Sequence, residues 1–110
     1  MWQSFDNGRP IGTSGSEKGI ILTDEKHVDG ARITLERDGY IRFAITCGIY
    51  GWMMHTRFFA NEENARRAYE EMKPALDSII QSIPLESAAD CDAKMKATAR
   101  MINEFVEHYP

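Results

Sequence analysis

Residues 33–59, ITLERDGYIRFAITCGIYGWMMHTRFF, decide the fold. Before Asp38-Gly39, the apolar Ala31, Ile33 and Leu35 alternate with Arg32, Thr34 and Glu36. After it, Ile41, Phe43, Ile45 and Cys47 alternate with Tyr40, Arg42, Ala44 and Thr46. Alternation at period two is the pattern of a half-buried strand, so the stretch reads as a hairpin. A two-residue Asp38-Gly39 turn would set Ile41 opposite Glu36 and Phe43 opposite Thr34, turning the apolar sets to opposite faces. A three-residue loop, with Gly39 left-handed as a bulge, pairs Leu35 with Ile41 and Ile33 with Phe43. A one-residue slip turns every side chain over, so burial selects the three-residue loop.

The next turn, Gly48-Ile49-Tyr50-Gly51, reads as a four-residue loop. It sets Cys47 opposite Trp52, Ile45 opposite Met54 and Ile41 opposite Phe58. On the other face it pairs Ala44 with His55, Arg42 with Arg57 and Tyr40 with Phe59. This register gathers Arg32, Arg42, His55 and Arg57 on one surface, with Tyr40, Met53 and Phe59 among them. Like charges directly opposite each other destabilise a sheet. The Arg42–Arg57 pair therefore demands a counter-charge: Glu36, a second subunit, or a bound anion.

The rest of the chain fits around this sheet. Residues 1–18 are punctuated by Gly8, Pro10, Gly12 and Gly15 and read as an irregular segment. A further strand is expected from Gly19 to Asp24, followed by a polar turn to Gly30. From Asn61 the period changes. Ala65, Ala68, Tyr69, Met72, Leu76, Ile79 and Ile80 form one helical stripe, with Asn61 as N-cap and a kink expected at Pro74. A second stripe runs through Cys91, Met95, Thr98, Ile102, Phe105 and Tyr109, with Ser87 and Asp90 as a capping box. The expected fold is α+β in two layers: a four-stranded antiparallel meander followed by two α-helices packed on one face. At 110 residues this is one domain with one modest core: 1–18 irregular, 19–59 sheet, 61–110 helical.

The net charge is −4, and residues 61–110 hold ten acidic against six basic groups. Such a balance argues against strong nonspecific binding to nucleic acid. No apolar run approaches the ~20 residues of a membrane span. The N-terminus lacks the basic start and apolar stretch of a signal peptide. Two cysteines read as reduced, buried thiols, so a cytoplasmic setting is expected.

Motifs that carry chemistry fail on spacing. The Gly12–Gly19 loop has Glu17 before Lys18 and Gly19 after it, which breaks the phosphate-loop pattern. Asp24, Glu25, His27 and Asp29 lack the spacing of a cation loop. The three histidines are scattered, so neither a metal nor a cofactor is expected. The derived register sends Cys47 and His55 to opposite faces, out of reach as a nucleophile–base pair.

The chain accordingly reads as a small, non-catalytic interaction or regulatory module. A homodimer is expected through the open sheet face or its edge, with Ile49, Tyr50, Met53 and Phe59 as contacts. An alternative of another class is an anion or single-stranded nucleic-acid binder using Arg32, Arg42, Arg57, Tyr40 and His55. The strands-then-helix order resembles that of whirly-type single-strand binders, in element order alone. A third reading is a small enzyme with a site assembled across a dimer.

Overall fold

The computed structural model describes residues 2–84 and 91–110. Within these, five strands precede two α-helices: β1 Trp2–Ser4, β2 Ile20–His27, β3 Ala31–Arg37, β4 Phe43–Ile49 and β5 Met53–Phe59, then α1 Glu62–Ser82 and α2 Cys91–His108. The strands form one antiparallel meander in the order β1-β2-β3-β4-β5. The α+β architecture is as expected, with one strand more. The addition, β1, pairs Trp2 with His27 and Ser4 with Glu25. Three residues are too short to display an alternation. Strand β2 also runs three residues past Asp24, to His27.

Helix α1 covers one face of the sheet. Asn61 caps it, its side chain accepting from the Asn64 N–H at 2.9 Å. The stripe Ala65, Ala68, Tyr69, Met72, Leu76, Ile79 and Ile80 is buried against the sheet, as its spacing requires. The helix runs unbroken through Pro74, so the chain is not split there. Helix α2 buries less, with Thr98 and Phe105 its buried residues. Thr98 donates to the Ser82 carbonyl at 3.0 Å, joining the two helices. The expected Ser87–Asp90 cap lies outside the described residues.

Both hairpins depart from the expected loops, with different consequences. Strands β3 and β4 pair Leu35 with Ile45 and Ile33 with Cys47. The loop is five residues, 38–42, closed by Asp38 N–H donating to the Arg42 carbonyl at 2.8 Å. Two extra residues preserve parity, so Ile33, Leu35, Phe43, Ile45 and Cys47 are buried under the helices as expected. Ile41, expected in the core, is exposed in the loop. Asp38, rather than Gly39, takes the left-handed conformation, at φ 57°. Gly39 is needed for another reason: a Cβ there would lie 2.3 Å from the Glu17 carbonyl oxygen. Tyr40 N–H donates to that same oxygen. The hairpin tip is thus tied to the N-terminal segment, a contact that hairpin rules do not contain.

Strands β4 and β5 join through a three-residue loop, 50–52, with Gly51 at φ 82° and Trp52 N–H donating to the Ile49 carbonyl. Ile49 faces Met53, Cys47 faces His55 and Ile45 faces Arg57. The four-residue loop is overturned, and with it the parity of β5. Met53, His55, Arg57 and Phe59 point to the helices; Met54, Thr56 and Phe58 point to the open face. Apolar residues occupy both parities of β5, so the hydrophobic pattern could not choose, and turn geometry did.

Candidate functional site

The open face of the sheet carries three cross-strand rows. The register lines up Asp24, Thr34, Thr46 and Thr56 in the middle. On one side lie Lys26, Arg32, Gly48 and Met54; on the other, Ile21, Glu36, Ala44 and Phe58. The N-terminal segment folds over the last of these rows. Its anchor is Glu36, 1 % exposed, whose Oε1 accepts from the Glu17 N–H at 3.0 Å and the Gly19 N–H at 2.9 Å. Ser16 Oγ reaches Thr46 Oγ1 at 3.4 Å. Beneath this cover Ala44 is buried although it faces away from the helices.

Where the cover stops, a groove of about 710 Å³ opens, lined by Ser14, Ser16, Arg32, Thr46, Gly48, Tyr50 and Met54 among others. Its lining combines hydroxyls, a guanidinium and apolar surface. Such a mixture of apolar walls with a few placed polar groups is the usual composition of a binding site. Arg32 is already engaged. Its Nε and Nη2 donate to Asp24 Oδ1 at 2.9 Å and Oδ2 at 2.6 Å, and the Phe5 ring lies 3.6 Å from the guanidinium carbon. The bonds to Asp24 raise the Arg32 pKa against the opposing effect of burial. Asp24 is wholly buried, so this bidentate pair supplies the charge compensation its burial requires.

The cationic surface expected from sequence is dispersed. Arg32 is the member that lies on the open face. Arg42 and Tyr40 sit exposed in the 38–42 loop. Arg57 lies on the helix side, its Nε donating to the Pro110 main-chain oxygen at 3.3 Å, between the rings of Phe59 and Tyr109. Burial lowers its pKa, with Tyr109 and Glu71 opposing. His55, also on the helix side, hydrogen-bonds through Nε2 to the Tyr109 carbonyl and meets the edge of Phe105. Arg57 therefore faces Ile45 and not Arg42, and the repulsion that demanded a counter-charge does not arise. Of the expected contact residues, Ile49 is buried, Met53 and Phe59 pack partly buried against the core, and Tyr50 is exposed at the groove.

Cys47 and His55 were expected on opposite faces; they are direct cross-strand partners on the helix side. Burial pushes the Cys47 thiol up to about 12, with the nearby Arg57 charge opposing. A thiol held in that form is a poor nucleophile. Two further polar residues of β2, His27 and Glu25, are engaged in structural contacts. His27 Nδ1 accepts from the Asp29 N–H at 3.1 Å, so Nε2 carries the proton and donates to Asp77 at 2.6 Å. Glu25 accepts from the Tyr69 hydroxyl at 2.8 Å and from Lys73 at 3.2 Å. Burial raises the pKa of that tyrosine. Among the described residues, no group of three His, Cys, Asp or Glu side chains gathers as a metal site, and no helix is long and apolar enough to cross a membrane.

Comparison with known protein families, curated proteins and solved structures finds no match for this chain.

Sequence reasoning missed Glu36 as a loop anchor, Asp24 as the partner of Arg32, and Met54 and Phe58 as open-face residues. The last two are 77 % and 50 % exposed. The available signal was the Gly51 turn, whose positive φ favours a short loop and reverses the face of β5.

Proposed function

We propose that this protein is a non-catalytic interaction module that acts through the open side of its sheet and works as a homodimer. The observation that carries the reading is the groove together with its uncovered flank. The N-terminal segment seals one side of the open face, while Met54 and Phe58 stand exposed on the other. Large apolar side chains left in water beside a partly polar groove are the usual mark of a partner site. The groove offers hydroxyls, a paired arginine and apolar walls. These are means of holding a partner. A reducing compartment such as the cytoplasm suits the two free thiols. The anion or single-stranded nucleic-acid reading has less support, because Arg32 is paired, Arg42 is in a loop and Arg57 lies on the helix side, against Tyr109 and Pro110.

Sedimentation velocity across the micromolar range tests the assembly. A mass that rises from one chain to two supports the reading. A concentration-independent monomer overturns the homodimer.

A further inference from the structure

We infer that the partner is a second copy of this chain, paired antiparallel through β5 about a two-fold axis at Thr56, each copy adding its Phe58 to the rim of the other's groove. The inference rests on the homodimer reading and specifies its geometry.

The first observation is the edge itself. Strand β5 ends the sheet, and among the described residues no strand pairs with its outer side. Its seven residues pair with β4 without a bulge. It contains neither proline nor lysine. Natural edge strands are blunted by bulges, prolines, inward charges or a covering loop, because a flat edge presents free N–H and C=O groups to any other strand. This edge carries neither of the first two; its one inward charge, Arg57, is engaged by the Pro110 main-chain oxygen, and its open-face side chains are Met54, Thr56 and Phe58.

The second observation is self-complementarity. A two-fold axis normal to the sheet keeps both open faces on the same side and pairs residues whose numbers have a constant sum. An odd sum would set an open-face residue against a helix-face one, which the pleat forbids. Centred on His55, the pairing sets Met54 against Thr56 and leaves Phe58 out. Centred on Arg57, it sets Thr56 against Phe58 and leaves Met54 opposite Ala60, past the end of the strand. Centred on Thr56, it sets Met54 against Phe58 of the second copy, twice, with the two threonines between. Only this centre covers both exposed apolar side chains of the strand. It gives a sulfur–aromatic contact on each side of the axis, an isologous arrangement that closes at two copies. On the helix side, His55 comes opposite Arg57, and both are already held by the main chain of Tyr109 and Pro110, just past α2.

The third observation links the edge to the groove. Met54 is the cross-strand neighbour of Gly48 and lines the groove. In the Thr56-centred pair, Phe58 of the second copy lies on the outer side of Met54. The groove is open there in the single chain and gains a wall in the dimer. A single strand pair buries less than standard interfaces do, so the affinity expected is micromolar.

The test is a short bismaleimide cross-link on Thr56→Cys in a Cys91→Ser background, with Asn103→Cys on the outer side of α2 as the control. Directly opposed Cβ atoms in an antiparallel pair lie about 5 Å apart, so Thr56→Cys should cross-link to a dimer and the control should not. A mixed sample of labelled and unlabelled chains should give an intermolecular NOE between the Met54 methyl and the Phe58 ring. Phe58→Lys should weaken the dimer about tenfold or more in sedimentation, since it loses one apolar pair and gains a charge on each side of the axis. A dimer that sediments as such, yet neither cross-links at residue 56 nor shows the NOE, overturns this register and leaves the homodimer reading standing. A monomer at every concentration overturns both.

Discussion

The two edges of the sheet are built on opposite principles. At one edge, β2 carries a bulge between Ile21 and Thr23, pairs with β1 over its last residues, and has Lys26 on the open face. Its remaining outer backbone is covered: Gly12 N–H donates to the Ile21 carbonyl, and Ile21 N–H donates to the Thr13 carbonyl. At the other edge, β5 is regular, presents Met54 and Phe58 on its open face, and is unpaired among the described residues. The contrast shows that bareness is not a general property of this small fold. Residues 2–19 serve largely to seal one edge, and the same device is lacking where Met54 and Phe58 stand exposed. An edge left bare beside one so thoroughly sealed is the stronger candidate for a partner strand.

The largest effect expected comes from breaking the seal. Glu36 holds two main-chain N–H groups in a site closed to water. Glu36→Ala should cost about 3 kcal/mol, because hydrogen bonds to a charged acceptor are lost and two donors are left without partners. Glu36→Gln keeps an acceptor oxygen and should cost less. Urea denaturation measures both. A loss from Glu36→Ala of under about 1 kcal/mol, within reach of an ordinary neutral hydrogen bond, would mean that the segment is held by something else.

A smaller effect distinguishes the edges without mutation. If β5 pairs with a second copy, its outward amides should exchange more slowly as protein concentration rises. The outward amides of β2 should be indifferent to concentration, because their partners belong to the same chain. Hydrogen exchange at two concentrations across the micromolar range makes the comparison. Equal behaviour at both edges would remove the asymmetry on which the dimer rests.

How much of this was legible depended on where the deciding contact lay. The helix-facing side of β3 and β4 could be read because Ile33, Leu35, Phe43, Ile45 and Cys47 alternate with polar or small residues, and burial enforces that parity. The length of the 38–42 loop could not, because it is set by Glu17, some twenty residues away, through the N–H of Tyr40 and the close approach of Gly39. The face of β5 was hidden by its own composition. Met53 and Met54 lie side by side, as do Phe58 and Phe59, so either register buries one apolar set and exposes the other. That one ambiguity carried His55 and Arg57 to the wrong side and concealed Met54 and Phe58. At the groove, Arg32 was legible as an open-face residue, but its neutralisation by Asp24 required the pairing of β2 with β3.

The smallest effect expected is nil at neutral pH and appears only in alkali. It reads how firmly β5 is held on the inner side of its bare edge. Cys47 lies on β4 opposite His55 of β5, beneath the helices, with its thiol pushed up to about 12 by burial. In the unfolded chain the thiol ionises near 8.5. The sign follows from linkage: the folded pKa is the higher, so the unfolded state loses its proton first as pH rises. Stability from this group is therefore fully present below about 8.5 and is lost as pH climbs toward about 12. Cys47→Ala should flatten that decline relative to the parent chain, at the cost of a small cavity. Alkylation by iodoacetamide near neutral pH gives the kinetic counterpart. Cys91, partly exposed at the start of α2, should react readily, while Cys47 should react only as fast as β5 or the helices open. Comparable rates at the two cysteines, with the outward and inward amides of β5 exchanging faster than those of α1, would mean that β5 detaches from β4 in the folded chain. A strand that loose could not template a second copy, and the contrast between a sealed edge and a usable one would become a contrast between a sealed edge and a frayed one.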